Sequence, residues 1–125
     1  VYGVEIVPQA IEIAKTNAED NNISNIHYDV ADAGDWLVKQ AKAGLEVDVV
    51  VVDPPRKGLS TEFIDSVIEM NPERMVYVSC NPSTLARDLK LLSEGGYTVE
   101  KVQPVDMFPQ TYHVECVALM SRKDK

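Results

Sequence analysis

An almost unbroken apolar run in the middle of the chain most constrains how it can fold. Residues 47–52 (VDVVVV) are followed at once by a loop with two prolines, residues 53–58 (DPPRKG). A continuous apolar strand of this kind is typical of the centre of a parallel sheet, where both faces are covered. We therefore expect other strands beside it, joined to it by helices.

The rest of the chain alternates between strand and helix patterns. Strands are predicted over residues 1–6, 25–30, 47–52 and 75–79. Helices are predicted from Pro8 to the pair Asn21-Asn22, over residues 32–43, from Ser60 to the pair Asn71-Pro72, and over residues 82–93. This alternation predicts a parallel, doubly wound α/β domain. The last two strands, residues 97–105 and 114–121, have no helix between them, so we expect an antiparallel hairpin at one edge.

Length and composition allow one domain with a packed core. The chain has 125 residues, of which 45% are hydrophobic, and no apolar run approaches the ~20 residues of a membrane span. No secretory signal is present, and the two cysteines, Cys80 and Cys116, lie outside any metal-ligand spacing. We expect no metal site and a reduced, cytoplasmic setting. The formal net charge of −8 by itself argues against a nucleic-acid partner, because phosphates attract clustered Lys and Arg.

Four polar groups stand at or just beyond the carboxyl ends of predicted strands: Glu5, Asp32, Asp53 and Cys80. In a doubly wound sheet these ends converge on one crevice, where ligands bind. Glu5 has the usual position of an acid that bonds ribose hydroxyls, although a solvated loop acid fits as well. Asp32 could simply cap a helix. Asp53 leaves its strand in a rigid Asp-Pro-Pro turn, which either walls the crevice or merely ends the strand.

Cys80 closes a strand and stands next to the start of a helix. Asn81 is a favoured N-cap and Pro82 a favoured first helical residue. Unpaired amides and the helix dipole favour negative charge at that point, which stabilises a thiolate. A small, buried structural cysteine is the alternative interpretation.

Glu115 interrupts an otherwise apolar strand, residues 114–120 (VECVALM). Burying a carboxylate costs several kcal/mol unless it is paired or protonated, so a Glu kept there is typical of a catalytic acid or base. A position at the wet end of the strand, paired with Lys or Arg, is the alternative. His113 lies two residues earlier, on the same strand face. Basic side chains that could contact phosphates, with a solvated charge as the alternative, are Arg56, Lys57 and Arg87.

Three sequence blocks together resemble one enzyme family. They are residues 53–58 (DPPRKG), residues 75–84 (MVYVSCNPST) and residues 105–115 (VDMFPQTYHVE). In this order and spacing they resemble the S-adenosylmethionine-dependent RNA uracil-5-methyltransferases, which include the bacterial tRNA and ribosomal-RNA m5U enzymes. The resemblance covers essentially the whole chain, as the back part of the family's catalytic domain.

The resemblance implies a role for each matching side chain. Cys80 would be the nucleophile and Glu115 the general base. Glu5 would hold the ribose of S-adenosylmethionine, Asp32 would lie near its adenine, and Asp53 would wall the cofactor and active site. Further side chains expected near an RNA substrate are Pro54, Arg56, Arg87 and His113, and those that could pack on the target base are Met107, Phe108 (with core packing as its alternative) and Tyr112.

The implied chemistry needs one thiolate and one carboxylate. A thiolate that adds to C6 of uracil makes C5 enolate-like, so that C5 can take up a methyl group. A base must then remove the C5 proton before the thiolate can leave. The target base must also be unstacked and turned into the pocket.

The implied fold is the Rossmann-like sheet of class I methyltransferases, mostly parallel, with strand order 3-2-1-4-5-7-6 and a C-terminal antiparallel hairpin. The chain lacks the family's first strand, its Gly-rich loop and its amino-terminal RNA-binding module, so we expect a fragment that binds the cofactor poorly and does not methylate RNA. A basic surface on the absent part would reconcile the charge of −8 with an RNA substrate. Strands 2 and 4 would either close up on each other or receive another chain, by strand exchange or dimerisation.

Three other functions remain open. RNA cytosine-5-methyltransferases place the attacking Cys in the Asp-Pro-Pro region, where this chain has Arg56 and no Cys. Amino-methyltransferases follow Asp-Pro-Pro with an aromatic residue, and Arg56 replaces that residue as well. A non-catalytic RNA-binding or assembly protein would have no need of both Cys80 and Glu115.

Overall fold

The structure, a computed structural model, describes residues 1–107, 110 and 114–123. Its elements in chain order are β1 (Tyr2–Glu5), α1 (Pro8–Asp20), β2 (His27–Val30), α2 (Ala33–Lys42), β3 (Val49–Val52), α3 (Thr61–Met70), β4 (Arg74–Ser79), α4 (Pro82–Glu94), β5 (Tyr97–Val105) and β6 (Glu115–Arg122). The predicted alternation of strands and helices is confirmed, and its element bounds move by a few residues.

Helix ends follow the local signals of the sequence. The side chains of Asp32, Ser60 and Asn81 cap α2, α3 and α4 by accepting hydrogen bonds from backbone N–H groups of the first turn. Asn71 ends α3 in the left-handed region, with φ of 56°. Gly44 follows α2 with φ of 81°, which a residue without Cβ adopts at little cost.

The strands form two sheets. β1 pairs with β2 in parallel, and the second sheet has the order β3-β4-β6-β5. In that second sheet β3 and β4 are parallel, whereas β6 is antiparallel to both of its neighbours. The predicted C-terminal hairpin and the α/β class are therefore confirmed. The strands also follow the order that the resemblance implies, except for a gap between the two sheets.

The gap lies between β1 and β3. Among the residues that the structure describes, these two strands do not pair, so the expectation that their edges would close up on each other is wrong. A cavity of about 1370 Å³ runs along both strands instead. The two sheets are connected through helix packing and not through strand pairing, since α2 packs against both α3 and β1.

One face of the larger sheet carries the core. Side chains of its strands that pack beneath α3 and α4 in this core are Val52, Met75, Tyr77, Cys116, Ala118 and Met120. On β3 the alternate side chains Val49 and Val51 are 49% and 66% exposed. The prediction that this strand is covered on both faces is therefore wrong for the described part of the chain, because α2, α3 and α4 leave those two side chains open to solvent.

Candidate active site

Cys80 is held by the turn between β4 and α4. It is half-buried and directly precedes Asn81, the N-cap of α4, as the sequence predicts. The buried Ser79 hydroxyl accepts a hydrogen bond from the Asn81 N–H (3.0 Å) and donates one to the Asn81 carbonyl (3.0 Å). Asn81 Oδ1 in turn accepts from the N–H of Ser83 (3.1 Å). The thiol thus projects from a backbone turn that its own neighbours brace.

Glu115 reaches the same region through strand register. β4 and β6 pair antiparallel as far as Ser79 and Cys116. Cys80 directly follows Ser79 and Glu115 directly precedes Cys116, so both lie one residue from this last pair, whose members are close neighbours. The fold therefore brings the two predicted catalytic residues to adjacent strand ends, although 35 positions separate them in the sequence.

Glu115 is the first residue of β6 and is half-buried. Within residues 1–107, 110 and 114–123, no ion pair or hydrogen bond reaches its carboxylate. The described residues therefore do not supply the Lys or Arg partner of the alternative interpretation. Met107 is 61% exposed. The side chains that were expected to approach the substrate but lie outside the described residues are Phe108, Tyr112 and His113.

The three acids expected at the cofactor line one cavity. Glu5, Asp32 and Asp53 all face the cavity between β1 and β3, and Pro54 lines it too. Glu5 Oε2 accepts a hydrogen bond from the N–H of Ile6 (3.1 Å), and Asp32 Oδ1 accepts one from Asp35 (3.0 Å). Asp32 is thus a helix cap, as its alternative interpretation held, while its exposed side chain still borders the cavity.

The loop after β3 is folded onto the first turn of α4. Gly58 donates its N–H to the Pro55 carbonyl (2.9 Å) and has φ of 76°. The carbonyl of Arg56 accepts hydrogen bonds from Asn81 Nδ2 (3.1 Å) and Thr84 Oγ1 (2.9 Å). The exposed Arg56 side chain is therefore carried on a backbone that α4 holds.

Asp88 is a polar residue that the sequence prediction missed. Its carboxylate is fully buried and accepts three hydrogen bonds: from Tyr77 Oη (2.7 Å), Leu59 N–H (2.8 Å) and Arg87 Nε (3.0 Å). Burial, followed by the hydrogen bond to Asp88, raises the pKa of Tyr77 well above its ordinary value of 10.0. The signal that could have found Asp88 is its place in the stripe of buried residues on α4.

Arg87 is hydrogen-bonded to the loop after β3. Its Nη2 donates to the carbonyls of Lys57 (2.8 Å) and Leu59 (3.3 Å), while its Nε binds Asp88. Half of the Arg87 side chain remains exposed. The residue expected to contact the RNA is therefore already a structural link between the loop and α4.

The profile of one protein family, described as tRNA (uracil-5-)-methyltransferase, matches residues 1–123. The chain belongs to this family. Within it, the chain is 59% identical over all 125 residues to an uncharacterized RNA methyltransferase of Bacillus cereus (strain ATCC 10987 / NRS 248). It is 56% identical over 123 residues to one of Oceanobacillus iheyensis. In both cases the match spans 27% of the relative's length.

A solved family structure has the same fold. The tRNA (uracil-54, C5)-methyltransferase of Pyrococcus abyssi, in complex with S-adenosyl-L-homocysteine, is 38% identical, with a TM-score of 0.79 over 96% of this chain and 28% of that one. The fibrillarin pre-rRNA processing protein of Methanococcus jannaschii shares the fold alone, at 15% identity and a TM-score of 0.68 over 100% of this chain and 56% of that one. The Rossmann-like methyltransferase fold is thus confirmed.

The described residues form neither a metal-binding cluster nor a membrane-spanning helix. No group of three or more His, Cys, Asp or Glu among them is arranged to hold a metal ion. None of the helices described has the length and apolar character needed to cross a membrane.

Proposed function

We propose that a full-length protein carrying this chain transfers a methyl group from S-adenosylmethionine to C5 of a uridine in ribosomal or transfer RNA. The observation that carries the proposal is the antiparallel register of β4 and β6, whose last pair is Ser79 and Cys116, the immediate neighbours of Cys80 and Glu115. A thiol and a carboxylate on neighbouring strand ends are the two groups that C5 methylation of uracil requires. Family membership over residues 1–123 supports the same reaction class.

The cavity between β1 and β3 suits the cofactor. Its acids stand at strand carboxyl ends, where doubly wound sheets bind nucleotides, and its walls include apolar side chains. Glu5 would accept hydrogen bonds from ribose hydroxyls, Asp32 would lie near the adenine, and Asp53 with Pro54 would form the wall towards the reacting base. S-adenosylmethionine, when bound, supplies the methyl group as an electrophilic carbon on a sulfonium.

Cys80 and Glu115 divide the chemistry between them. The Cys80 thiolate forms a bond to C6 of uracil, and the electron pair of the C5–C6 double bond becomes available at C5. After C5 has gained the methyl group, Glu115 takes the remaining C5 proton. The C5–C6 double bond re-forms as the C6–Sγ bond breaks, which returns the thiolate.

Substrate contacts involve the loop after β3. We propose that Pro54, Arg56, Arg87 and His113 approach the extruded nucleotide, because enzymes that modify a base bring it out of the stack. Arg87 directs Nε and Nη2 to protein acceptors, so its contact with a phosphate would use Nη1. Arg56 would act from a loop whose carbonyl is held by α4.

The proposal also covers RNA binding, cellular location and oligomeric state. RNA would bind mainly through parts of a full-length protein outside this acidic chain, in the cytoplasm. The isolated chain would complete its sheet by dimerisation or strand exchange, since in the described part of the chain β1 and β3 border a cavity and their edges do not pair with each other.

The experiment is methylation of unmodified tRNA and ribosomal RNA by the full-length protein, with nucleosides separated and identified by mass spectrometry. We expect 5-methyluridine, its loss in Cys80→Ala, and its retention in the matched control Cys116→Ala, which removes the other, buried thiol. Formation of 5-methylcytidine or an N-methylated nucleoside would refute the uridine assignment. Undiminished activity of Cys80→Ala would refute the role of Cys80.

A further inference from the structure

We propose that Asp88 is a positioning residue for this reaction and acts through a loop clamp formed by Asp88, Arg87 and Tyr77. The loop clamp holds residues 56–59 against α4, and so sets the loop that carries Asp53 relative to Cys80. The inference rests on the proposed function, which it deepens.

The first support is the number of elements that meet at one carboxylate. Asp88 lies on α4, receives the hydroxyl of Tyr77 from β4, and receives the N–H of Leu59 from the loop after β3. The neighbouring Arg87, whose side chain is half exposed, donates the third hydrogen bond to the Asp88 carboxylate. Loss of one donor from a buried carboxylate costs about 1–3 kcal/mol or more, so Asp88 favours the one arrangement in which all three donors are in place.

The second support is that α4 holds the loop along its length. Asn81 and Thr84 bind the carbonyl of residue 56, and Arg87 binds the carbonyls of residues 57 and 59. With Asp88, four side chains of the first two turns of α4 and its cap grip the backbone of a short segment. The segment's position therefore follows the position of α4.

The third support is the fit at Gly58. A Cβ there would stand 2.6 Å from Asp88 Oδ2 and 2.8 Å from Arg87 Nη2, distances too short for a real contact. The backbone also has φ of 76°, a conformation that side chains other than glycine disfavour. The backbone at Gly58 thus lies so close to Asp88 and Arg87 that it leaves no room for a side chain.

The loop clamp affects the distance between Cys80 and the proposed cofactor cavity. Tyr77 precedes Cys80 by three residues on β4, and Asp88 follows it by eight on α4, so the loop clamp spans the turn that bears the thiol. The clamped loop begins at Asp53, which lines the proposed cofactor cavity. A small displacement between nucleophile and methyl donor slows a transfer strongly, which makes this spacing a rate-determining feature.

The experiment compares two buried tyrosines in the full-length protein. Tyr77→Phe removes the hydroxyl that binds Asp88, and Tyr97→Phe removes a hydroxyl of equal burial that binds the Pro72 carbonyl (2.6 Å), outside the loop clamp. We expect Tyr77→Phe to lower kcat for uridine methylation about tenfold or more without a matching rise in KM, and Tyr97→Phe to keep kcat within about twofold. Equal kcat values for the two variants, at equal folded fraction, would overturn the positioning role.

A second pair of variants distinguishes a positioning effect from a general loss of stability. Arg87→Lys loses the planar fork that joins the loop to Asp88, whereas the control Arg122→Lys alters an arginine that binds the Asn71 carbonyl away from the loop clamp. We expect only Arg87→Lys to reduce kcat. The same reduction in both variants would assign the effect to stability and overturn the inference.

Amide hydrogen exchange separates this inference from the proposed function. In Asp88→Asn the amide of Leu59 should exchange faster than in the unaltered protein, whatever reaction the protein performs. Unchanged exchange would overturn the loop clamp itself. Faster exchange in a protein that makes no methylated uridine would refute the proposed function and leave the loop clamp standing.

Discussion

At the scale of single residues, the backbone holds the two proposed reacting groups in different ways. Cys80 sits in a turn fixed by Ser79 and by the N-cap Asn81. Glu115 starts a strand and depends on the pairing of β6 with β4 and β5 for its position. The nucleophile is therefore set by local structure, whereas the base is set by sheet register.

Glu115→Gln should stop the reaction after methyl transfer, because an amide cannot take the C5 proton. We expect kcat to fall by about 10²–10⁴ and a covalent protein–RNA species to accumulate on unmodified RNA, detectable in denaturing gels. Glu100→Gln, which alters a carboxylate on β5 bonded to Ser121, is the control. A Glu115→Gln variant with normal turnover would remove Glu115 from the mechanism.

Tyr77 supplies a prediction for pH. Its folded-state pKa is raised above the ordinary value of 10.0, mainly by burial, so its contribution to stability is complete below pH 10. As the pH rises above that value, the unfolded chain loses the phenolic proton and the folded chain keeps it, so the free energy of unfolding falls. In Tyr77→Phe the fall should be shallower, as measured by denaturant unfolding across that range. An identical pH profile in both proteins would contradict the assignment.

At the scale of elements, the site is a contact between the loop after β3 and α4. The loop's carbonyls at positions 56, 57 and 59 all bind side chains of the cap or first two turns of α4. The strand that ends in Cys80 joins them through Tyr77. Movement of α4 would therefore carry the loop and the thiol together.

Two glycines with similar backbone angles test how tightly these elements meet. Gly44 (φ +81°) has open space around it, whereas Gly58 (φ +76°) faces Asp88 and Arg87. Gly44→Ala should lower the free energy of unfolding by about 1–2 kcal/mol, through backbone strain alone. Gly58→Ala should lower it by about 1–3 kcal/mol more, since overpacking is added. If chemical denaturation shows equal losses of unfolding free energy for the two variants, the loop moves away from Asp88 and Arg87 at little cost, which would contradict the tight contact.

The contrast between Ser60 and Asp88 explains what the sequence could predict. Ser60, Asp32 and Asn81 cap helices through partners two or three residues away, so their roles follow from local pattern. Asp88 binds an N–H 29 residues distant, and no local pattern encodes that contact. That Cys80 and Glu115 belong to one site is implied by the family resemblance and not by local pattern, because their positions depend on a strand register that a single sequence does not display.

At the scale of the whole molecule, the dominant feature is the gap between the two sheets. Val49 and Val51 are exposed beside it although their pattern is that of a buried strand. Periodicity predicts that such residues are suited to burial, but it does not predict which segment covers them. For this reason the sequence predicts β3 as a strand, whereas the exposure of its second face is visible only in the structure.

The gap predicts weak cofactor binding by the isolated chain. Glu5 belongs to one sheet and Asp53 follows a strand of the other, and no hydrogen bonds between β1 and β3 fix their spacing among the described residues. Calorimetry with S-adenosyl-L-homocysteine should show no clear binding, and RNA methylation should be absent. Clear binding by the monomeric chain would contradict this, whereas light scattering that shows a dimer would indicate that a second copy fills the gap.

The central claim is that Cys80 forms a covalent bond to C6 of uridine. The most direct measurement is incubation of the full-length protein with S-adenosylmethionine and RNA containing 5-fluorouridine, followed by mass spectrometry of the protein–RNA product. Fluorine cannot be removed as a proton, so we predict a stable adduct on Cys80 in the unaltered protein and none in Cys80→Ala. An adduct that persists in Cys80→Ala, or an active protein that forms none, would contradict the claim.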